Sequence, residues 1–280
     1  MKKIAIVGAN SSVGRNLIKY LTDKNSFQIV KMARKNSDYD IDLLNSIDQI
    51  SIPKGVNSLI LLAASMVQRT NEEIIEMVET NTIGPLKVCM AAKQAGVKNI
   101  IYLSSVSSKI KSSSIYYNYY GITKNNGEDL IRFYCKNNGI NLCILRPSQI
   151  YGTDMSFSKH QQMFYYILDR VKQNQDVTIY GSHDPIRNLI HIDDVMDVIY
   201  RVLESKISGD FDIVGDNVTL SEIVRYASEC CNSKSKVIFD LSKDNLEDNG
   251  FVVDNRIREV LHKDSFVTIQ QGIKRIYDGE

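Results

Sequence analysis

The chain has 280 residues, 43% apolar and 24% charged, with a formal net charge of +1. This balance fits a globular protein and gives no electrostatic footprint for nucleic acid or an anionic membrane. Five cysteines without metal-ligand or disulfide-framework spacing, and a leading apolar run too short for a signal peptide or a membrane span, point to a cytoplasmic protein without a metal site.

Ile4 to Val7 is a short apolar run, the pattern of a buried parallel strand. Gly8-Ala-Asn-Ser-Ser-Val-Gly14 follows, and then Leu17, Ile18 and Leu21 at helical spacing. A strand, a glycine-bearing turn and a helix make a phosphate site, because the first-turn amides face the turn. Ser11 stands where a central glycine is expected in the dinucleotide fingerprint. A second strand, about Gln28 to Met32, runs into Ala33-Arg34-Lys35. An acid there would hold a ribose 2'-hydroxyl, whereas Arg34 suits a 2'-phosphate, so the pattern favours NADP over NAD. Asp42 and Leu43 come next.

Ser58 to Ala64 reads as a third buried strand ending in small residues that let a flat cofactor lie close. Glu72 to Ala95 is helical, with a kink or restart at Gly84-Pro85. Asn99 to Ser104 is a fourth strand, Ser107 to Ser114 a loop, and a helix then runs to about Asn137. It opens with Tyr120-Gly-Ile-Thr-Lys124, which puts a phenol and an ammonium on one face. A neighbouring cation favours the phenolate, so the pair is a candidate proton relay. Tyr20 and Lys24 share the spacing in a helix explained by packing alone. Asn141 to Leu145 is a fifth strand, followed by Arg146-Pro147. The alternation is that of a doubly wound parallel sheet, an α/β Rossmann-like fold, whose ligands bind beyond the carboxyl ends of the strands. Ser11, Ser12, Arg34, Ser65, Ser104, Ser105, Ser148 and Gln149 all fall at such ends. Asp193-Asp194 suits a helix N-terminus, so His191 and Asp194 read as structural.

In these motifs the sequence resembles the extended short-chain dehydrogenase/reductase family of NAD(P)-dependent nucleotide-sugar epimerases, dehydratases and reductases. The likeness includes Leu61-Leu-Ala-Ala64, Asn81-Thr-Ile-Gly84, Leu145-Arg-Pro-Ser-Gln-Ile-Tyr-Gly152 and Arg187-Asn-Leu-Ile-His-Ile-Asp-Asp-Val195. The resemblance implies that Tyr120 is the acid/base and that Lys124 supports it and holds the nicotinamide ribose. Ser105 would hydrogen-bond the reacting substrate oxygen, with Ser104 as a second candidate. Gly8, Asn10, Ser11, Ser12, Val13 and Gly14 would line the pyrophosphate side of the cofactor. Arg34, Asp42, Leu43, Leu62, Ala63 and Ala64 would flank its adenosine half, and Asn81, Ser104 and Pro147 complete the cofactor set. Gln149 and Arg187 would reach a nucleotide-sugar substrate, Arg187 as a phosphate fork.

Sugar dehydratases of the family carry a Thr-Asp-Glu-like trio where this chain has Ser105-Val106-Ser107, which disfavours elimination. Reduction of a 4-keto sugar nucleotide is the leading expectation, because Arg34 and the small C-terminal portion favour it. A 4-epimerase using retained NAD is the alternative, and a non-catalytic nucleotide sensor a third. Residues 1–150 and 187–206 are expected to form the cofactor domain, with 151–186 and 207–280 a smaller C-terminal substrate-binding lobe. Homodimerisation through a helix pair is a family expectation.

Overall fold

The computed structural model describes residues 1–279. In chain order its elements are β1 (Lys2–Val7), α1 (Ser12–Lys24), β2 (Phe27–Ala33), β3 (Tyr39–Asp40), β4 (Ser58–Leu61), α2 (Asn71–Val78), α3 (Gly84–Gln94), β5 (Asn99–Leu103), α4 (Tyr119–Asn137) and β6 (Asn141–Pro147). Next come β7 (Gln149–Tyr151), α5 (Gln162–Lys172), β8 (Val177–Tyr180), β9 (Ile186–His191), α6 (Ile192–Ser205) and β10 (Gly209–Ile213). The last are β11 (Asp216–Thr219), α7 (Leu220–Cys231), β12 (Val237–Asp240), α8 (Arg256–Val260) and α9 (Ile269–Asp278).

The chain divides into two compact units, the first comprising Met1–Pro147 and Met196–Asp212, the second Ser148–Val195 and the segment from Ile213 onward. The first is built on a seven-stranded sheet of order β10-β6-β5-β4-β1-β2-β3. Parallel registers join β1 to β2 and β4, β4 to β5, and β5 to β6. Val7 pairs with both Met32 and Leu61, so the carboxyl ends of three central strands are level. The strand order reverses between β1 and β4, and in such sheets the crevice at that point takes ligands.

The apolar runs do not alternate because both sheet faces are covered. Ala5, Val7, Leu59, Leu61, Ile100, Tyr102 and Ile144 pack with Val88, Ala91 and Ala92 of α3 and with Ile131 and Cys135 of α4. Ile4, Ile6, Ile60 and Ile101 point to the other face and are equally buried. Burying one such side chain is worth about 1.5–3 kcal/mol. Among the cysteines, Cys89, Cys135 and Cys143 are buried and Cys230 and Cys231 half-buried, all five as free thiols.

The helical run expected from Glu72 to Ala95 is broken by a π-helical segment over Glu79–Ile83, after which α3 begins with Pro85 in its first turn. Proline lacks an N–H and is tolerated there. The second unit holds a three-stranded sheet of order β11-β9-β7 and the pair β12-β8. The boundary expected at 187–206 is therefore displaced. Residues 187–191 lie in β9, which pairs with β7 and β11 of the second unit, and the first unit extends past 206 because β10 forms the edge of its sheet.

Candidate active site

The turn after β1 is shaped by two contacts. Gly8 has a φ of 93°, and a side chain on it would stand 2.6 Å from the Ala63 nitrogen, so this position must be bare. Ser11 caps α1: its Oγ accepts from the Gly14 N–H at 3.0 Å and donates to the Gly8 carbonyl at 2.8 Å. Its φ of −69° needs no glycine, which explains why a serine fits there. The amides of Ser12 and Val13 open the helix, where backbone N–H groups favour an anion. Asn10 donates to the Lys35 carbonyl at 2.6 Å and Arg15 to the Asn10 carbonyl at 2.8 Å. The loops after β1 and β2 are thereby tied, and Arg15 joins exposed Arg34 and Lys35 in a basic rim. The sequence reading omitted Arg15, although its place directly after Gly14 in the first helical turn was the available signal.

The third strand ends at Leu61, earlier than expected, because the N–H groups of Leu62 and Ala63 both turn to the Val7 carbonyl. Leu62, Ala63 and Ala64 thus form the wall beyond β4. Half-buried Asp42 accepts from the Leu44 N–H at 3.1 Å, and buried Leu43 packs under Gly84. Asn81, fully buried in the π-helical segment, accepts from the Ser65 N–H and donates to the Ser65 carbonyl, both at 2.8 Å. The same amide reaches Thr123 Oγ1 at 3.1 Å, and Thr82 bonds the Thr123 carbonyl. Asn81 therefore clamps the loop after β4 to the helix that bears Tyr120.

Tyr120 stands at the start of α4, where Asn118 caps the helix by accepting from the Gly121 N–H. A side chain on Gly121 would lie 2.4 Å from the Ser107 carbonyl oxygen, so glycine brings the helix against the turn that follows Ser105. Burial pushes the Tyr120 phenol up to about 12, and a hydrogen bond with Ser105 opposes the rise. Lys124 is 1% exposed and donates to the Leu103 carbonyl at 2.8 Å, with its Nζ 4.1 Å from the Tyr102 ring centroid. Burial lowers its ammonium to about 7, against the negative charge of Glu128. Desolvation governs Tyr120, and the Lys124 ammonium is held at the end of β5.

The Ser104 hydroxyl donates to Glu128 inside the protein, whereas Ser105 caps the following turn and faces Tyr120. Adjacent residues of an extended segment point oppositely, so the two hydroxyls face different sides. Pro147 is buried at the end of β6.

Gln149 and Arg187 lie in the second unit. Gln149 pairs with Leu189 in parallel register, so it shares a sheet face with Arg187 two residues back. Arg187 Nη1 donates to the Ile186 and Glu247 carbonyls at 2.7 and 2.9 Å, which fixes the direction of the guanidinium. Fully buried Asn188 stitches β9 to Gly215 and Asn217. His191 accepts from the Asp193 N–H at the start of α6, and Asp194 holds the Val267 N–H and Lys263.

The family model described as "NAD dependent epimerase/dehydratase family" matches residues 4–214. The chain belongs to that family. Its members are NAD(P)-dependent enzymes of nucleotide-sugar epimerisation and reduction. The UDP-glucose 4-epimerase of Vibrio cholerae is 23% identical over 249 residues, 80% of this chain and 74% of that protein. A UDP-2-acetamido-2,6-beta-L-arabino-hexul-4-ose reductase of Pseudomonas aeruginosa is 22% identical over 240 residues, 84% of this chain and 59% of that protein. The solved structure described as RMD from Pseudomonas aeruginosa complexed with NADPH superposes with a TM-score of 0.77 at 18% identity, covering 99% of this chain and 98% of that one. Among the described residues no helix is long and apolar enough to cross a membrane.

Proposed function

We propose that this member of the family reduces the 4-keto group of a nucleotide-linked sugar with NADPH. The observation that carries the proposal is the Tyr120 phenol, hydrogen-bonded to Ser105, with buried Lys124 one turn farther along α4. The turn after β1 fits a dinucleotide: Gly8 is bare where a Cβ would strike Ala63, and the amides of Ser12 and Val13 open a helix beside it. Gly14 packs behind them, Ala63 and Ala64 flank the adenosine, and Lys124 holds the nicotinamide ribose. Arg34, Lys35 and Arg15 form a rim suited to a 2'-phosphate, and no acid stands directly after β2.

Bound NADPH supplies a hydride; the rest belongs to the chain. Ser105 donates a hydrogen bond to the carbonyl oxygen, and Tyr120 donates the proton that completes the alcohol. A phenol raised to about 12 keeps its proton at neutral pH and is set to act as the acid in reduction. In the second unit we assign Gln149 and Arg187 to the nucleotide diphosphate, where a guanidinium fork matches phosphate.

A 4-epimerase is the second reading, favoured by the name of the Vibrio cholerae relative. One experiment separates the two. The protein is purified without added cofactor and denatured, and any released nucleotide is identified; NADPH and NADH are then titrated onto the native protein. The reductase is expected to emerge empty, to bind NADPH about tenfold more tightly than NADH, and to oxidise NADPH with a panel of nucleotide-linked 4-keto sugars. Stoichiometric NAD released from the purified protein would overturn it in favour of the epimerase.

A further inference from the structure

A buried polar cluster of the first unit lies beside Ser105 and Lys124. Glu128 is 1% exposed and stands one helical turn beyond Lys124 on α4. Its carboxylate accepts from the Ser104 hydroxyl, from Arg146 Nε at 3.0 Å to each oxygen, and from Arg146 Nη2. The Ser108 hydroxyl stands 2.8 Å from Glu128 Oε1 and 2.8 Å from the Ser105 carbonyl, sharing one proton between them. Ser104 and Ser108 therefore bracket Ser105, and both are tied to the helix that carries Tyr120 and Lys124.

We propose that Glu128 is a positioning residue of the Ser105/Tyr120/Lys124 site: a buried counter-charge that keeps the Lys124 ammonium protonated, aimed by Ser104, Ser108 and Arg146. The argument rests on the reading that Lys124 holds a nicotinamide cofactor. An ammonium taken out of water needs a compensating charge, and opposite charges attract strongly where little water intervenes. Lys124 stands one helical turn from Tyr120 and from Glu128 on α4 and lies over Tyr102 of β5. Of these Glu128 is the acid that opposes the effect of burial on Lys124. Around Glu128 stand Arg132 of α4 and Arg146 of β6; Arg146 also reaches Asp210 and Asp212 of β10, and Lys109 bonds Asp212. Glu128 is thus one of three acids around the Arg146 guanidinium, and the one that stands on the helix of Lys124. Ser105 inherits its place from the same carboxylate, through the serines on either side.

The test uses the full chain and two readings. Lys124 is titrated by 13C NMR of lysine side chains, its signal identified as the one missing in Lys124→Met. The NADPH dissociation constant is measured from pH 5.5 to 8.5. In folded Glu128→Gln, the Lys124 midpoint and the pH limb of NADPH binding are expected to move together by about one unit to the acid side, weakening binding up to about tenfold above neutral pH. A midpoint and limb that stay in place, or move alkaline, overturn the proposal. Glu128→Asp keeps the charge and must keep the limb within about 0.3 unit; an equal acid shift in that variant also overturns it. If Lys124→Met binds NADPH with unaltered affinity and pH dependence, the assignment of Lys124 itself falls. A limb lost in Lys124→Met but retained in Glu128→Gln sinks only the role of Glu128.

Discussion

Two tyrosines in this chain precede a lysine by four residues on a helix, and they share a perturbed phenol while differing in everything else. On α1, Tyr20 donates to Asp197 at 3.2 Å, and exposed Lys24 lies over its ring at 5.2 Å. On α4, Tyr120 meets Ser105, and Lys124 is buried against Leu103 and Tyr102. Burial raises both phenols to about 12, Tyr20 with further help from Asp197. A shifted phenol is therefore no mark of chemistry. The hydroxyl facing it and the fate of the neighbouring ammonium distinguish the two pairs, and both depend on which strand end the helix packs against.

The largest expected effect breaks the pairs apart by activity. Tyr120→Phe should lower turnover of the keto-sugar substrate by on the order of a thousandfold, with NADPH binding preserved, while Tyr20→Phe stays within about twofold. Steady-state rates and a fluorescence titration check this, and undiminished turnover in Tyr120→Phe would sink the proposed site. The next separates the lysines by stability. Unfolded, Lys124 holds its proton up to an ordinary value near 10.5; folded, it does so only up to about 7. Between those values the unfolded chain binds the extra proton, so stability rises with pH, and below 7 the whole cost is present. Lys124→Met should thus stabilise the fold by on the order of 3 kcal/mol at pH 6 and by less at pH 9, as denaturant unfolding would show. Lys24→Met is the exposed control and should change stability by about 0.5 kcal/mol or less at either pH. The smallest effect concerns the neutral support of α4. Asn81→Ala removes the clamp between Ser65 and Thr123 and should cost about 2 kcal/mol, with no slope between pH 6 and 9. A pH-dependent loss would mean that the clamp is coupled to Lys124.

Much of this arrangement was legible in the chain. Apolar runs bounded by glycine and serine marked β1, β4, β5 and β6, because a strand covered on both faces needs no polar alternation. The order of the glycine turn, Ser105, Tyr120 and Lys124 marked the candidate site. The buried charges escaped notice for a physical reason. Glu128 stands four residues after Lys124 with nothing in the sequence to mark it as buried, and only the packing of α4 on β5 and β6 takes both charges out of water. Arg146 was part of a motif, but its partners Asp210 and Asp212 arrive from an edge strand some sixty residues away that periodicity did not reveal. Strand parity was the overlooked signal at Ser104 and Ser105, since only one of two neighbours can face a given side.

The π-helical turn fixes chain length as well as position. In it the Gly84 N–H bonds Glu79 five residues back, one residue more than an α-helical turn holds. Each residue advances a helix by about 100°, so deleting one between Val78 and Gly84 would swing the apolar stripe of α3, with Val88, Ala91 and Ala92, away from the sheet. Adding one would swing it the other way. This short stretch works as a spacer cut to a single length.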